Sequence, residues 1–211
     1  GNGRHGVASV FSFHPVKTIC MGEGGAVTTD DDALAERLRR FRNHGISRDP
    51  ATFENADLAF DAAGVANPWY YEMAAPGFNY RASDLHCALG LSQLVKLDGR
   101  VARRARLAAL YDQALAPLAP LVRPVARAPD CDPAWHLYVA LIDFESAGIE
   151  RAAVMARLRD AGIATMVHYL PLHLQPYYRR EGQADLPGAV AYYRRALTLP
   201  LFPAMADADV T

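Results

Sequence analysis

An α/β region followed by a smaller α+β segment is the architecture this sequence predicts, on three observations. An apolar run at residues 7–13 gives way to the turn Gly22-Glu23-Gly24-Gly25, and a second short apolar stretch follows at 26–29, which reads as two strands around a long connection. Stretches with apolar residues at helical spacing then dominate as far as residue 118. Past Pro117, Pro120 and Pro124 the pattern changes to short alternating strands and helices, the mark of a compact α+β segment.

Each element has a local reason. Asp30-Asp31-Asp32 offers an N-cap and first-turn acids for a helix at 33–41, with Leu34, Leu38 and Phe41 on one face and arginines in the last turn. Asn43-His44-Gly45 ends that helix, and its glycine reads as a structural C-terminal cap. Residues 47–76 hold Pro50, Pro68, Pro76 and the cluster Trp69-Tyr70-Tyr71, so they read as a long loop near a site or a subunit contact. Ser83 caps a helix from Asp84 that carries Leu85, Ala88, Leu89 and Leu94 on its apolar side, and Gly99 marks a break. A second amphipathic helix at 101–118 holds the domain boundary, giving units 1–105 and 106–211. In the second unit we expect a strand at 136–142, a helix at 150–161 closed by Gly162, and a strand at 164–169.

A chain of 211 residues with 51% hydrophobic content buries a sizeable core. Its net charge of -1 gives no electrostatic ground for a nucleic acid or an anionic membrane as partner. Three cysteines (Cys20, Cys87 and Cys131) without CxxC spacing suggest neither a disulfide framework nor a zinc site. With no apolar run of membrane-spanning length and no signal-peptide pattern, a cytoplasmic location is expected.

The chemistry centres on Lys17, which stands where an apolar strand enters a glycine-rich turn. Val16, Ile19 and Met21 around it favour partial desolvation, which frees an amine to condense with a carbonyl. Ser12, five residues upstream, is placed to donate a hydroxyl to a phosphate. A serine for a phosphate, a lysine for an aldehyde and a flexible glycine turn are the parts that hold pyridoxal 5′-phosphate (PLP) as a Schiff base.

The run SFHPVK with GEGGAV, then Asn43-His44-Gly45, Gly77-Phe78-Asn79-Tyr80-Arg81 and Asp84-Leu85-His86-Cys87-Ala88-Leu89-Gly90, resembles the sugar-nucleotide aminotransferases of the DegT family. The late segment Val167-His168-Tyr169-Leu170-Pro171-Leu172-His173-Leu174-Gln175-Pro176-Tyr177-Tyr178 resembles the branch of that family serving pseudaminic acid synthesis. The resemblance implies a fold-type I PLP-dependent transferase, of which this chain is the C-terminal part of the large domain plus a small α+β C-terminal domain. The loop-like opening Gly1-Asn2-Gly3-Arg4-His5-Gly6 fits that expectation of a fragment.

The same resemblance implies transfer of an amino group from L-glutamate to the 4-keto group of a UDP-linked 6-deoxy-N-acetylhexosamine, in a homodimer with shared active sites. Lys17 would be the catalytic amine, general acid and general base; Ser12 and Asn79 would hold the cofactor phosphate, Asn79 from across the dimer. Tyr80 and Arg81 would serve the shared site, Arg81 through paired hydrogen bonds to a carboxylate or a diphosphate. His14 either contacts substrate or packs against the turn. His168, Tyr169 and His173 match the substrate-proximal segment, and with no acid or cysteine spaced to complete a set, no metal is expected. Two alternatives remain: a related enzyme acting on another nucleotide sugar, and a non-catalytic fragment serving as a scaffold.

Overall fold

β1 (Ser9–Ser12) and β2 (Gly25–Thr28) pair antiparallel, with Ser9 opposite Thr28 and Ser12 opposite Gly25. The computed structural model describes residues 6–180, 182 and 184–210. The chain divides into two units, Gly1–Val95 and Lys96–Thr211.

In the first unit the hairpin leads into α1 (Asp32–Arg42), whose N-cap Asp31 accepts the Leu34 N–H and whose last turn carries Arg39, Arg40 and Arg42. The expected cap at its other end is present. Gly45 N–H reaches the Arg40 carbonyl at 2.8 Å, and both His44 (φ 60°) and Gly45 (φ 73°) are left-handed. β3 (Ile46–Ser47) pairs with β4 (Glu72–Met73), and the short helix α2 (Ala56–Ala59) lies between them. The stretch expected to be one long loop is therefore folded. The Glu72 carboxylate organises it, accepting the N–H groups of Glu54 and Asn55 at 2.8 Å each and the Tyr70 hydroxyl at 2.9 Å. Those two backbone donors hold the Glu72 carboxyl below the usual range.

α3 (Asp84–Leu94) starts as expected, with the Ser83 side chain accepting the His86 N–H. Of its apolar residues, Leu85 is 84% exposed, and Leu89 and Leu94 are also open. Met21, Ala59, Ser47 and Glu72 are the buried side chains of this unit among the described residues.

The second unit opens with α4 (Leu97–Leu115), so the helical break falls at Val95 and Lys96, and Gly99 lies inside the helix. A helix tolerates a glycine at a cost of about 1 kcal/mol, and this one does not break it. The expected domain boundary at 105/106 falls within the same helix. α4 packs on an antiparallel sheet ordered β5 (Val122–Pro124), β6 (Tyr138–Ile142), with β7 beyond it. α5 (Arg151–Asp160), α6 (Pro176–Arg179) and α7 (Pro187–Arg195) follow, and α7 runs directly into β7 (Ala196–Leu199), a strand not expected from the sequence.

Residues 164–169 do not form the expected strand. Met166 makes a single two-bond bridge to Thr198 on the edge of β7, and the chain then leaves for a 3-10 turn at Leu172–Leu174. The core joins Leu107, Ala108 and Tyr111 of α4 to Tyr138, Leu201 and Met205, with the Tyr111 and Tyr138 rings stacked at 4.7 Å. The Tyr111 and Tyr138 hydroxyls find partners in the Pro200 carbonyl and the Asp112 carboxylate, each at 2.8 Å, as buried phenols require.

Candidate active site

The first cluster sits on the β1–β2 hairpin. Ser12 ends β1, Gly25 opens β2, and the twelve residues between them carry His14 and Lys17. Phe13 N–H bonds to the Gly24 carbonyl and Met21 N–H to the Phe13 carbonyl, each at 2.9 Å, which closes the loop at its base. Lys17 N–H turns back to the His14 carbonyl at 2.9 Å, and its side chain is half-buried. Ser12 is exposed; its Oγ accepts the His14 N–H at 3.5 Å, a contact that occupies a lone pair and not the hydroxyl proton. The His14 ring accepts the Val16 N–H at Nδ1 and stands 3.8 Å from Glu23 through Nε2. The His14 imidazole is exposed and tied to the turn through these two contacts.

Asn79, Tyr80 and Arg81 form a second segment, fastened to the end of α1. Phe78 N–H bonds to the Phe41 carbonyl, Tyr80 N–H to that of Arg42 and His44 N–H to that of Phe78, and Asn43 bridges Asn79. The approach is so close that a Cβ on Gly77 would lie 2.1 Å from the Gly45 nitrogen. Tyr80 stacks on Phe78 with ring centres 4.7 Å apart, and Arg81 donates to Asn43 Oδ1 at 2.8 Å. Asn43, read from sequence as a helix end alone, is therefore also the partner of Arg81. Nothing in its local pattern signals this, because the bond spans 38 positions. An apolar cleft of about 880 Å³ runs between the hairpin, α1 and Phe78; Tyr80 lines it, but Ser12 and Lys17 do not.

In the second unit His168, half-buried, donates to or accepts from the Thr198 hydroxyl through Nδ1 at 2.8 Å, and the Tyr169 ring meets it edge-on at 4.5 Å. Tyr169 itself is 67% exposed. His173 lies five residues on, in the 3-10 turn, and is half-buried. No group of three or more metal-binding side chains occurs among the described residues, and no helix among them is long and apolar enough to cross a membrane.

This fold is that of the fold-type I PLP-dependent transferases. The DegT/DnrJ/EryC1/StrS aminotransferase family matches residues 2–211, and the chain belongs to it. It is 39% identical over 212 residues to the spore coat polysaccharide biosynthesis protein SpsC of Bacillus subtilis (strain 168), covering 99% of this chain and 52% of SpsC. Helicobacter pylori PseC, an aminotransferase involved in the biosynthesis of pseudoaminic acid, superposes with a TM-score of 0.83 at 29% identity, over 99% of this chain and 52% of its own. The Spr1654 protein of Streptococcus pneumoniae in its PMP form gives 0.80 at 27% identity, over 97% of this chain and 48% of its own. The chain thus spans about half the length of the relatives it matches. PLP is the cofactor of this family, and Spr1654 has been solved in both PLP and PMP forms.

The donors present fit that group. A hydroxyl with its proton available, a half-buried amine five residues on and an exposed amide at Asn79 are chemically suited to a phosphate, an aldehyde and an anion respectively.

Proposed function

We propose that the protein containing this chain is a PLP-dependent sugar-nucleotide aminotransferase, with Lys17 as its catalytic amine. The observation that carries the reading is a half-buried lysine in a loop closed at its base by backbone hydrogen bonds, with Ser12 at the loop's start, in a chain of this family. When bound, PLP supplies an aldehyde and an electron-withdrawing ring, through which an amino group can pass from donor to keto acceptor. Lys17 Nζ would be the amine that holds the cofactor through its aldehyde and, when free, would carry a proton as general base and acid. Ser12 Oγ and the Asn79 amide bind the phosphate, Asn79 from the second subunit of a homodimer. Arg81, held by Asn43, receives a carboxylate or diphosphate in paired hydrogen bonds. On the resemblance to the family, His14 in the first unit and His168, Tyr169 and His173 in the second are assigned to substrate binding.

The substrate we propose is a UDP-linked 4-keto-6-deoxy-N-acetylhexosamine, with L-glutamate as donor. The involvement of PseC in pseudoaminic acid biosynthesis and the sequence of the segment at 167–178 support it. The test is borohydride reduction of the full-length protein loaded with PLP, followed by peptide mapping. Lys17 and Lys96 are the lysines of this sequence, and Lys96 is exposed at the start of α4. We expect the reduced cofactor on Lys17 and its loss in Lys17→Ala. An unchanged adduct in that variant would remove Lys17 from the chemistry and favour a non-catalytic role.

A further inference from the structure

Met21 is 6% exposed and is the buried side chain of the hairpin and its connection, while Val7, Val10 and Val16 are each at least 60% exposed. Two glycines make room for it. A Cβ on Gly24 would come 2.4 Å from Met21 Sδ, and a Cβ on Gly90, inside α3, would come 3.2 Å from Met21 Cβ. One turn before Gly90, the His86 ring lies 3.0 Å from where a Gly22 Cβ would be. The end of the lysine loop therefore rests on one face of α3, where His86 and Gly90 stand four residues apart. A glycine inside a helix costs about 1 kcal/mol relative to alanine; here its missing side chain is the space that admits Met21.

The backbone bond from Met21 to Phe13 fixes the same residue from the other side. Met21 is held by its N–H at the base of the loop and by its side chain in the Gly24/Gly90 socket, four residues after Lys17. We infer that Met21 is a positioning residue for Lys17: its seating against α3 sets where the loop, and with it Nζ, is presented. The inference rests on the proposed role of Lys17 and extends it to a residue outside those proposed to hold cofactor or substrate.

The experiment uses the full-length protein carrying Met21→Ala, Met21→Leu, Gly90→Ala or Lys17→Ala. Hydrogen exchange of the cofactor-free proteins is read at residues 14–24 and, for comparison, at β6. The rate at which added PLP becomes borohydride-trappable on Lys17 is measured on the same samples. We expect Met21→Ala and Gly90→Ala to slow capture at least tenfold and to speed exchange at 14–24, with β6 unchanged. Leucine is close to methionine in volume, so Met21→Leu should remain within twofold of wild type. Gly90→Ala favours the helix, so it tests the socket even if Met21→Ala does not fold. Wild-type capture in Gly90→Ala and in any folded Met21→Ala protein would overturn the inference, as would exchange accelerated equally in β6. Trapping that survives Lys17→Ala would instead overturn the reading of Lys17 itself, and the two failures are distinct.

Discussion

The Thr198 hydroxyl and His168 Nδ1 stand 2.8 Å apart, although thirty residues separate them in the chain. Thr198 is 5% exposed, and its backbone N–H and carbonyl both engage Met166, two residues before the histidine. A buried strand residue thus fixes the ring plane of an imidazole on an irregular segment, whichever tautomer the ring adopts. With His168 against the sugar nucleotide as proposed, Thr198→Val in the full-length enzyme should raise KM for the keto-sugar roughly 5- to 30-fold, equivalent to ~1–2 kcal/mol. The half-reaction with glutamate should be unchanged, and Thr198→Ser should restore the sugar KM. Steady-state kinetics with both substrates decides it, and equal losses in both half-reactions would show a merely structural role.

Arg104 poses a different question, because it is a charge 5% exposed with no carboxylate partner among the described residues. One atom, Nη1, donates to the carbonyls of His136 at 3.0 Å and Leu201 at 2.7 Å. Burial and the neighbouring Arg100 lower its affinity for the proton, as a desolvated cation requires. Removing it relieves a buried charge but leaves two carbonyls unpaired, at roughly 1–3 kcal/mol each. We expect Arg104→Met to be net destabilising. Because a single nitrogen serves both acceptors, Arg104→Lys should recover part of the loss. Urea midpoints of the three proteins give the order, and a methionine variant as stable as wild type would mean that the carbonyls repair themselves.

Local chemistry explains what was legible in the sequence. Asp31 and Ser83 announce their helices through caps that act within three residues, and both caps are present. The hairpin with Lys17 in its connection was likewise readable, from the apolar runs on either side of a glycine turn. The missed features are long-range pairings. Residues 164–169 have strand-like composition, but the edge of β7 accepts only Met166. Glu72 looks like one more loop acid until the N–H groups of Glu54 and Asn55 close on it from 17 and 18 positions away. The partners of Arg81 and His168 were hidden for the same reason.

The junction between Gly45 and Gly77 offers a test whose control has the opposite sign. An added Cβ at Gly77 meets the Gly45 nitrogen at 2.1 Å and the His44 carbonyl carbon at 2.6 Å, backbone atoms that no side-chain rotation can clear. Gly77→Ala should therefore destabilise by several kcal/mol, about 3 or more, and should disturb the segment carrying Asn79, Tyr80 and Arg81. At Gly99, in the first turn of α4, an added Cβ meets nothing within 4 Å, so Gly99→Ala should raise helix stability, by at most about 1 kcal/mol. Thermal melts of the pair report both. A Gly77→Ala protein melting with wild type would show that the two backbones can separate without loss.

Asp207 should make part of the stability depend on acid. Its carboxylate receives Arg106 and Arg103 of α4, and Arg103 also donates to the Met205 carbonyl, so one acid ties the end of the described chain to the long helix. These hydrogen bonds, with Arg106 contributing most, hold the Asp207 pKa down to about 2 from the usual 3.8. A depressed carboxylate stabilises the fold above its unfolded pKa, and that contribution is lost as pH falls through the folded value. The stability gap between wild type and Asp207→Asn should therefore be level from neutral pH to about 4 and close between about 4 and 2. The Asp207 side chain is 38% exposed, so salt should narrow the neutral-pH gap. Denaturant midpoints across pH at two ionic strengths measure both effects, and a gap that stays constant down to pH 2 would mean that the two arginines do not stabilise the ionised acid in solution.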